Sequence, residues 1–226
     1  MKFRIDASDS PDIAESLYYV GKPLVYMLPP QMLLLQGAHR YGSTHPFVAA
    51  LRDGSAVLER FYSAFSPKNL AQMYGLAETG LGGETLEPWE IPWLKRKRQP
   101  PSAEVGLGIE HGASYYGPCT PEKVDAEMLR LNSLVNSINA VGYRPQEHGH
   151  IRGHFLRSGN DFRFFVRGGK HRTAALVHLG HKRIPVTIAE TWPRVIVQGS
   201  ESEWPLVRTG EVDATFAAAI FSRYFD

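Results

Sequence analysis

The spacing of apolar residues in the first third of the chain predicts a mostly helical lobe. Residues 23–36 hold two apolar runs around a Pro-Pro pair, which predicts two short strands joined by a turn, because proline lacks the N–H that a strand ladder needs. Residues 45–54 predict a short helix with a proline in its first turn and a glycine beyond its end. Residues 55–75 predict a second helix, whose apolar face is formed by Val57, Leu58, Phe61, Tyr62 and Phe65.

Residues 78–110 are rich in glycine, proline, tryptophan and charge, which predicts a long loop or linker rather than a packed element. We therefore expect an N-terminal lobe in residues 1–110 and a second domain in residues 111–226. Tryptophan and clustered basic residues are often found at membrane surfaces. One alternative for this segment is therefore contact with a membrane surface through Trp89, Trp93 and the basic run at 95–98. The simpler expectation is a loop packed on the domain and a solvated charge run.

The second half of the chain has a clearer pattern. A helix is predicted from Pro121 to Val141, with Thr120 as its N-cap and Gly142 as the C-cap glycine that ends it. Its apolar stripe consists of Val124, Met128, Leu131, Leu134, Val135, Ile138 and Val141. Beyond it, the pattern predicts a strand at 162–166, a helix from Lys170 to Gly180 and a strand at 184–189. We therefore predict an α/β fold with a helical N-terminal extension.

Composition and charge exclude several classes of protein. The 226 residues include one cysteine, which rules out an internal disulfide and a cysteine-based zinc cluster. The formal net charge of +2 does not provide the broad positive field of a protein that binds a phosphate backbone, so nucleic-acid binding is not expected. The N-terminus lacks an apolar signal segment, and two prolines interrupt the longest apolar stretch. We expect a cytoplasmic protein.

A phosphate-binding site is predicted where a strand ends in two glycines and a helix begins. Its candidate residues are Gly168, Gly169, Lys170, His171, Arg172 and Thr173. The first-turn N–H groups and the positive end of a helix dipole attract anions, and glycine lets the backbone approach them closely. Lys170 adds a point charge and Arg172 a bidentate donor. The alternative is a structural turn whose cations pair with acidic neighbours.

Residues from about 121 to 188 resemble the ParB/sulfiredoxin superfamily. The resemblance rests on a helix ending in LVNSINAVGYRPQ, a strand, and the run FFVRGGKHRTAALVHLGHKRIPV. Sulfiredoxins have a Gly-Gly-Cys-His-Arg motif at this position, ParB proteins a Gly-Glu-Arg-Arg box and free serine kinases an Asp-Gly-His-Thr-Arg box, and all bind nucleotide phosphates there. The resemblance implies a nucleotide site with Gly168 and Gly169 as its cradle and His171 and Arg172 as phosphate contacts.

Departures from the superfamily restrict what the site can do. Lys170 stands where sulfiredoxins have their catalytic cysteine, which excludes reduction of sulfinic acids, and Cys119 lies far upstream. The helix-turn-helix unit that follows the box in ParB proteins is not found in the last forty residues. Tyr143 and Arg144 occupy the place of the first box of the ParB pocket. The resemblance implies that Arg144 reaches phosphate and Tyr143 stacks on a base; the alternative is a turn with a packed tyrosine.

Three activities then remain open. The leading hypothesis is a phosphotransferase that uses ATP, ADP or CTP with Mg²⁺ to phosphorylate a small hydroxyl-bearing metabolite or sugar precursor, with Glu122 or Glu127 as base. For each of these acids, the alternative to catalysis is a structural role as a helix-capping or surface residue. The second hypothesis is a non-catalytic nucleotide switch or partner-binding module. The third is a nuclease, which would need a carboxylate cluster that the sequence does not show.

Histidines are concentrated in one stretch, with six of the nine between residues 148 and 181. The alternation of His148 and His150 would place both rings on one face of a strand, as metal ligands often are. No nearby carboxylate completes a ligand set, so no metal site is predicted. His178 and His181 lie late in the predicted helix, where the negative end of the helix dipole stabilises a cationic side chain. That interaction is sufficient to explain both residues.

Overall fold

A computed structural model of the protein describes residues 3–6, 13, 24–77, 82–95, 106–189 and 192–226. Contacts divide the chain into two compact units. The first is drawn from Met1–Leu35, His39–Gly54 and Met128–Val197, and the second from Gln36–Ala38, Ser55–Glu127 and Gln198–Asp226. Each unit therefore combines segments from both halves of the chain, which differs from the division expected at residue 110.

The first unit is built on a mixed sheet, to which the described residues contribute seven strands. These are β1 (Phe3–Asp6), β2 (Leu24–Leu28), β3 (Leu33–Leu34), β4 (Ile151–Ser158), β5 (Asp161–Gly168), β6 (Ile184–Ile188) and β7 (Val195–Val197). The strand order is β1-β2-β6-β4-β5-β3, and β7 pairs with β4. The two strands predicted around the Pro-Pro turn are confirmed. However, β2 pairs with β6 and β3 with β5, so they belong to the sheet and not to a helical lobe.

The described residues also form eight helices, which confirms the prediction of a mixed α/β protein. They are α1 (Pro46–Asp53), α2 (Ala56–Ala64), α3 (Leu70–Met73), α4 (Pro121–Val141), α5 (Pro145–His148), α6 (Lys170–His178), α7 (Pro205–Arg208) and α8 (Ala214–Ser222). The predicted bounds of α4 are correct, and the Gly142 N–H after it donates to the Ile138 carbonyl at 2.8 Å. α1 is capped by His45, whose Nδ1 accepts from the Phe47 N–H at 3.2 Å.

Aromatic side chains fill the core of the sheet and fix the direction of β5. Phe155 of β4 lies opposite Phe164 of β5, with ring centroids 5.1 Å apart, and meets Tyr26 of β2 at 4.9 Å. His154 lies opposite Phe165 on the alternate face, with centroids 5.2 Å apart. All five side chains are fully buried. The end of β5, where α6 begins, is therefore anchored by buried cross-strand pairs.

The loop at residues 82–95 is a packed part of the second unit, although it forms no regular helix or strand. The Leu70 N–H at the start of α3 donates to the Leu86 carbonyl at 2.9 Å. Trp93 is fully buried and lies edge-on against Trp204, with centroids 5.4 Å apart. The expected linker is wrong for this segment, because buried aromatic contacts hold it in place. Trp93 is therefore not available to a membrane surface.

The remaining surface features of this region are only partly described. Trp89 is half-buried in the same loop. Of the basic run at 95–98, only Lys95 lies within the described residues, so a membrane-contact role for the run stays a prediction. In the part of the chain that the structure describes, every helix is too short or too polar to cross a membrane.

Candidate functional site

The strand-to-helix junction predicted from the sequence is present in the first unit. β5 ends at Gly168, Gly169 has the left-handed backbone angle φ of 87°, and α6 begins at Lys170. A β-carbon on Gly169 would lie 3.1 Å from Cγ1 of Ile151 and 3.2 Å from Nη2 of Arg172. The chain therefore needs glycine at position 169 both for its conformation and for the close approach of β4.

The N-terminus of α6 has the geometry of an anion site. Its first intrahelical hydrogen bond joins the Thr173 N–H to the Gly169 carbonyl at 2.9 Å. The N–H groups of Lys170, His171 and Arg172 therefore precede the helical ladder. The positive end of the helix dipole lies at the same point, so backbone groups alone favour an anion there.

Two cationic side chains lie at this N-terminus. Lys170 is half-buried, and its Nζ lies 5.4 Å from the centre of the Phe47 ring. Arg152 of β4 is exposed and faces Gly168 across the ladder, with Nε 3.8 Å from the position of a β-carbon on Gly168. Arg152 was missed by sequence reasoning because strand pairing brings it to the junction. The alternation of Ile151, Arg152 and Gly153 at the start of β4 is the signal that could have found it.

His171 packs α6 against α1 instead of presenting its ring to a phosphate. The side chain is 3% exposed, and its ring stacks on Phe47 at 5.1 Å with an interplanar angle of 13°. Phe47 in turn meets His45 edge-on at 5.4 Å, and His45 stacks on Tyr41 at 4.2 Å. The expected phosphate contact of the His171 side chain is therefore replaced by a packing role, while its N–H remains at the helix N-terminus.

Arg172 and Thr173 also have roles that differ from the expected ones. Nη1 of Arg172 donates to the carbonyls of His148, at 2.7 Å, and Gly149, and Nη2 donates to the His150 carbonyl at 3.5 Å. The guanidinium thus holds the turn before β4 against α6 instead of being directed wholly to a ligand. The buried Thr173 hydroxyl donates to the Gly169 carbonyl at 3.0 Å, which makes it a helix-start contact and not a phosphate ligand.

Tyr143 and Arg144 are not part of the phosphate-binding group. Burial raises the pKa of Tyr143, and the charge of Arg172 opposes that rise. The exposed Arg144 donates to the Val141 carbonyl at 3.1 Å and pairs with Glu147 at 3.3 Å. Arg144 is therefore engaged in local contacts at the end of α4.

The two acids proposed as catalytic base lie in the first turns of α4, which belong to the second unit. Glu127 is fully buried, accepts from the Tyr62 hydroxyl at 2.6 Å, and lies 3.5 Å from Nζ of the fully buried Lys123. A carboxylate in such a network is not placed to accept a proton from a substrate. Glu122 is exposed, and hydrogen bonds from its own backbone N–H and from Thr120 lower its pKa.

The histidines do not form a metal site in the described part of the chain, where no group of three or more His, Cys, Asp or Glu side chains is suitably placed. His148 is at the end of α5 and not on a strand, which overturns the expected alternation with His150. Burial, with a smaller contribution from Arg167, lowers the pKa of His154 to about 3. His154 is therefore a neutral core residue.

The chemistry of the junction is that of a compact anion site. Backbone N–H groups and the positive end of a helix dipole lie at the start of α6, with Arg152 beside Gly168 and Lys170 over the Phe47 ring, while Arg172 and His171 hold the surrounding elements. Such an arrangement favours an anion. Comparison of the chain with protein-family models, with curated proteins and with solved structures finds no match.

Proposed function

We propose that the first unit binds the phosphate groups of a nucleotide at the N-terminus of α6, as a divergent ParB/sulfiredoxin-like domain. The observation that carries this proposal is the start of α6 directly after the left-handed Gly169, where the N–H groups of Lys170, His171 and Arg172 precede the first intrahelical hydrogen bond. Those N–H groups and the positive end of the helix dipole favour an anion. These are the features for which the sequence resembles the superfamily.

Each residue of the motif has a different part in the proposed site. Lys170 would supply a positive charge to the terminal phosphates, and Arg152 a second charge from β4. Arg172 acts as a positioning residue, because its hydrogen bonds fix residues 148–150 beside the helix.

The ligand we propose is ATP, ADP or CTP together with Mg²⁺. Mg²⁺ retains several waters and is commonly bound through substrate phosphates and one or two carboxylates, so a dedicated cage of protein ligands is not required. The start of α6 fits a phosphate by the charge of its dipole end and by its backbone N–H groups. It does not discriminate among bases, so three nucleotides belong in the test.

The activity we propose for this site is phosphoryl transfer to a small hydroxyl-bearing metabolite or sugar precursor. The reaction is catalysed mainly by positioning and by neutralising charge on the phosphates, which Lys170 and the helix N-terminus would supply. The proposal assigns no catalytic base, because the two predicted acids, Glu122 and Glu127, both belong to the second unit.

A non-catalytic nucleotide switch is the second candidate function. One observation favours it: Glu127 is buried in an ion pair, and the lowered pKa of Glu122 makes that carboxylate a weak base. In this case binding alone would alter the protein, without transfer of phosphate.

Calorimetric titration of the whole protein with ATP, ADP and CTP in the presence of Mg²⁺ tests the shared claim. We expect binding by the wild type and weaker binding by Lys170→Ala, with Lys182→Ala as a control that removes the same charge from an exposed turn. Release of the diphosphate with a panel of hydroxyl-bearing metabolites would then identify a phosphotransferase, and binding without release would identify a switch. Absence of nucleotide binding by the wild type would refute both functions.

A further inference from the structure

The second unit contains a cavity of about 510 Å³ that shares no residue with the proposed phosphate site. One wall is formed by side chains of α2, among them Glu59, Tyr62 and Ser63. The other is formed by residues 118–121 and by Val124 of α4. A volume of this size lies in the range of small-molecule sites, which is about 300–1,000 Å³.

A buried ionic network supports the wall of the cavity. Lys123 and Glu127 are both fully buried, with Nζ 3.5 Å from Oε1, and Nζ of Lys123 lies 3.6 Å from the centre of the Tyr62 ring. Replacing a buried ion pair by apolar side chains of similar volume is often neutral or stabilising, so stability alone does not explain the pair. Buried charged groups beside a cleft are a recognised mark of functional sites.

The network holds Tyr62 in one orientation. The Tyr62 hydroxyl donates to Glu127 at 2.6 Å while the Lys123 ammonium lies over its ring, and the Ser66 hydroxyl donates to the Tyr62 carbonyl at 2.8 Å. Tyr62 is 1% exposed, so its ring lies behind the surface of the cavity and is fixed before any ligand arrives. A preformed wall lowers the cost of ordering side chains on binding.

The polar groups of the cavity fit a ligand that carries hydroxyls. The exposed Glu59 carboxylate has two acceptor oxygens, which suit two adjacent hydroxyl donors, and the Ser63 hydroxyl both donates and accepts. Pro118, Pro121 and Val124 offer apolar contact to C–H groups. A negatively charged ligand would be repelled by Glu59, and an apolar one would leave it and Ser63 without hydrogen bonds.

We propose that this cavity binds a small polyol with two adjacent hydroxyls, such as a monosaccharide. The hydroxyls would donate to Glu59, and the ring or chain of the polyol would lie against Pro118 and Pro121. The proposal stands apart from the nucleotide site, and its test uses no nucleotide, so either can fail without the other.

Cys119 provides a probe of this cavity, because it lines the cavity and is the one cysteine of the chain. Burial raises the pKa of its thiol, and Lys123 opposes that rise, so labelling is best followed at alkaline pH. The experiment measures the rate of iodoacetamide labelling of the whole protein by intact mass, with D-glucose, D-ribose or myo-inositol present. For a dissociation constant of about 1 mM, a sugar at about 10 mM slows labelling about tenfold.

Two variants make the result decisive. We expect Glu59→Gln to lose the protection, because the amide has one acceptor oxygen in place of two and no charge, while Glu203→Gln, an exposed change in the same unit outside the cavity, keeps it. Saturable protection by at least one polyol that depends on Glu59 supports the proposal. Equal labelling rates with and without all three polyols, or equal protection in Glu59→Gln and wild type, would overturn it.

Discussion

Replacing Gly169 with alanine tests the strand-to-helix junction at its most constrained residue. A φ of 87° costs an L-residue about 1–2 kcal/mol relative to its preferred conformations. The new β-carbon would also lie 3.1 Å from Cγ1 and 3.2 Å from Cα of Ile151, which is closer than ordinary van der Waals contact. Because Ile151 is fully buried in β4 and cannot move freely, we expect a total loss of about 2–3 kcal/mol in the free energy of unfolding.

Gly168→Ala is the matched control, one residue earlier. Its β-carbon would meet only Arg152, at 3.8 and 3.9 Å, and its φ is not in the left-handed region. We expect its free energy of unfolding to change by no more than about 0.5 kcal/mol. The assay is urea unfolding of both variants and the wild type, followed by circular dichroism. Equal stability of the two variants would refute the reasoning about Gly169.

Three further substitutions test other parts of the structure. Lys123→Met leaves the Glu127 carboxylate buried without its cation and should cost about 3–5 kcal/mol in urea unfolding, whereas the Lys123→Met/Glu127→Leu double variant should recover most of that loss. Burial lowers the pKa of His154 to about 3 in the folded protein, whereas the unfolded chain protonates it near pH 6.5. The contribution of His154 to stability is therefore complete above pH 6.5, and the free energy of unfolding falls by about 2 kcal/mol between pH 7 and 5. Urea unfolding of His154→Leu at both pH values should show that loss reduced by this amount, and an unchanged pH dependence would contradict the assignment. Arg172→Lys loses the fork that binds the carbonyls of residues 148–150, and hydrogen exchange there should become faster, with about 1–3 kcal/mol less stability.

Local signals predicted the parts of the fold that local interactions determine. The bounds of α4 follow from Pro121 and Gly142, and α6 begins where the glycines end. Long-range strand pairing was beyond reach, because β6, which pairs with β2, and β5, which pairs with β3, lie more than 120 residues along the chain. Packing of the loop onto its domain was expected as the simpler alternative, but its partner was not, since Trp93 meets Trp204 only in the folded unit.

The candidate site was likewise predictable only where it depends on residues close together in the sequence. The glycine pair between a strand and a helix was visible in the sequence, but the contact of Gly169 with Ile151 was not, because β4 is brought there only by strand pairing. The role of Arg172 was not, because its carbonyl partners lie more than 20 residues upstream and are brought near by β4. The spacing of Lys123 and Glu127, four residues apart on α4, was a local signal of an ion pair, but their burial depends on tertiary packing.

The central claim is that the N-terminus of α6 recognises phosphate groups. The most direct measurement is calorimetric titration of the wild-type protein with ATP, ADP, AMP and adenosine in the presence of Mg²⁺, followed by competition with inorganic tripolyphosphate. We expect affinity to fall as each phosphate is removed, and tripolyphosphate to displace ATP, because the cradle at Gly169 and the charge of Lys170 act on phosphate alone. Adenosine binding as tightly as ATP, or ATP that tripolyphosphate does not displace, would contradict the claim.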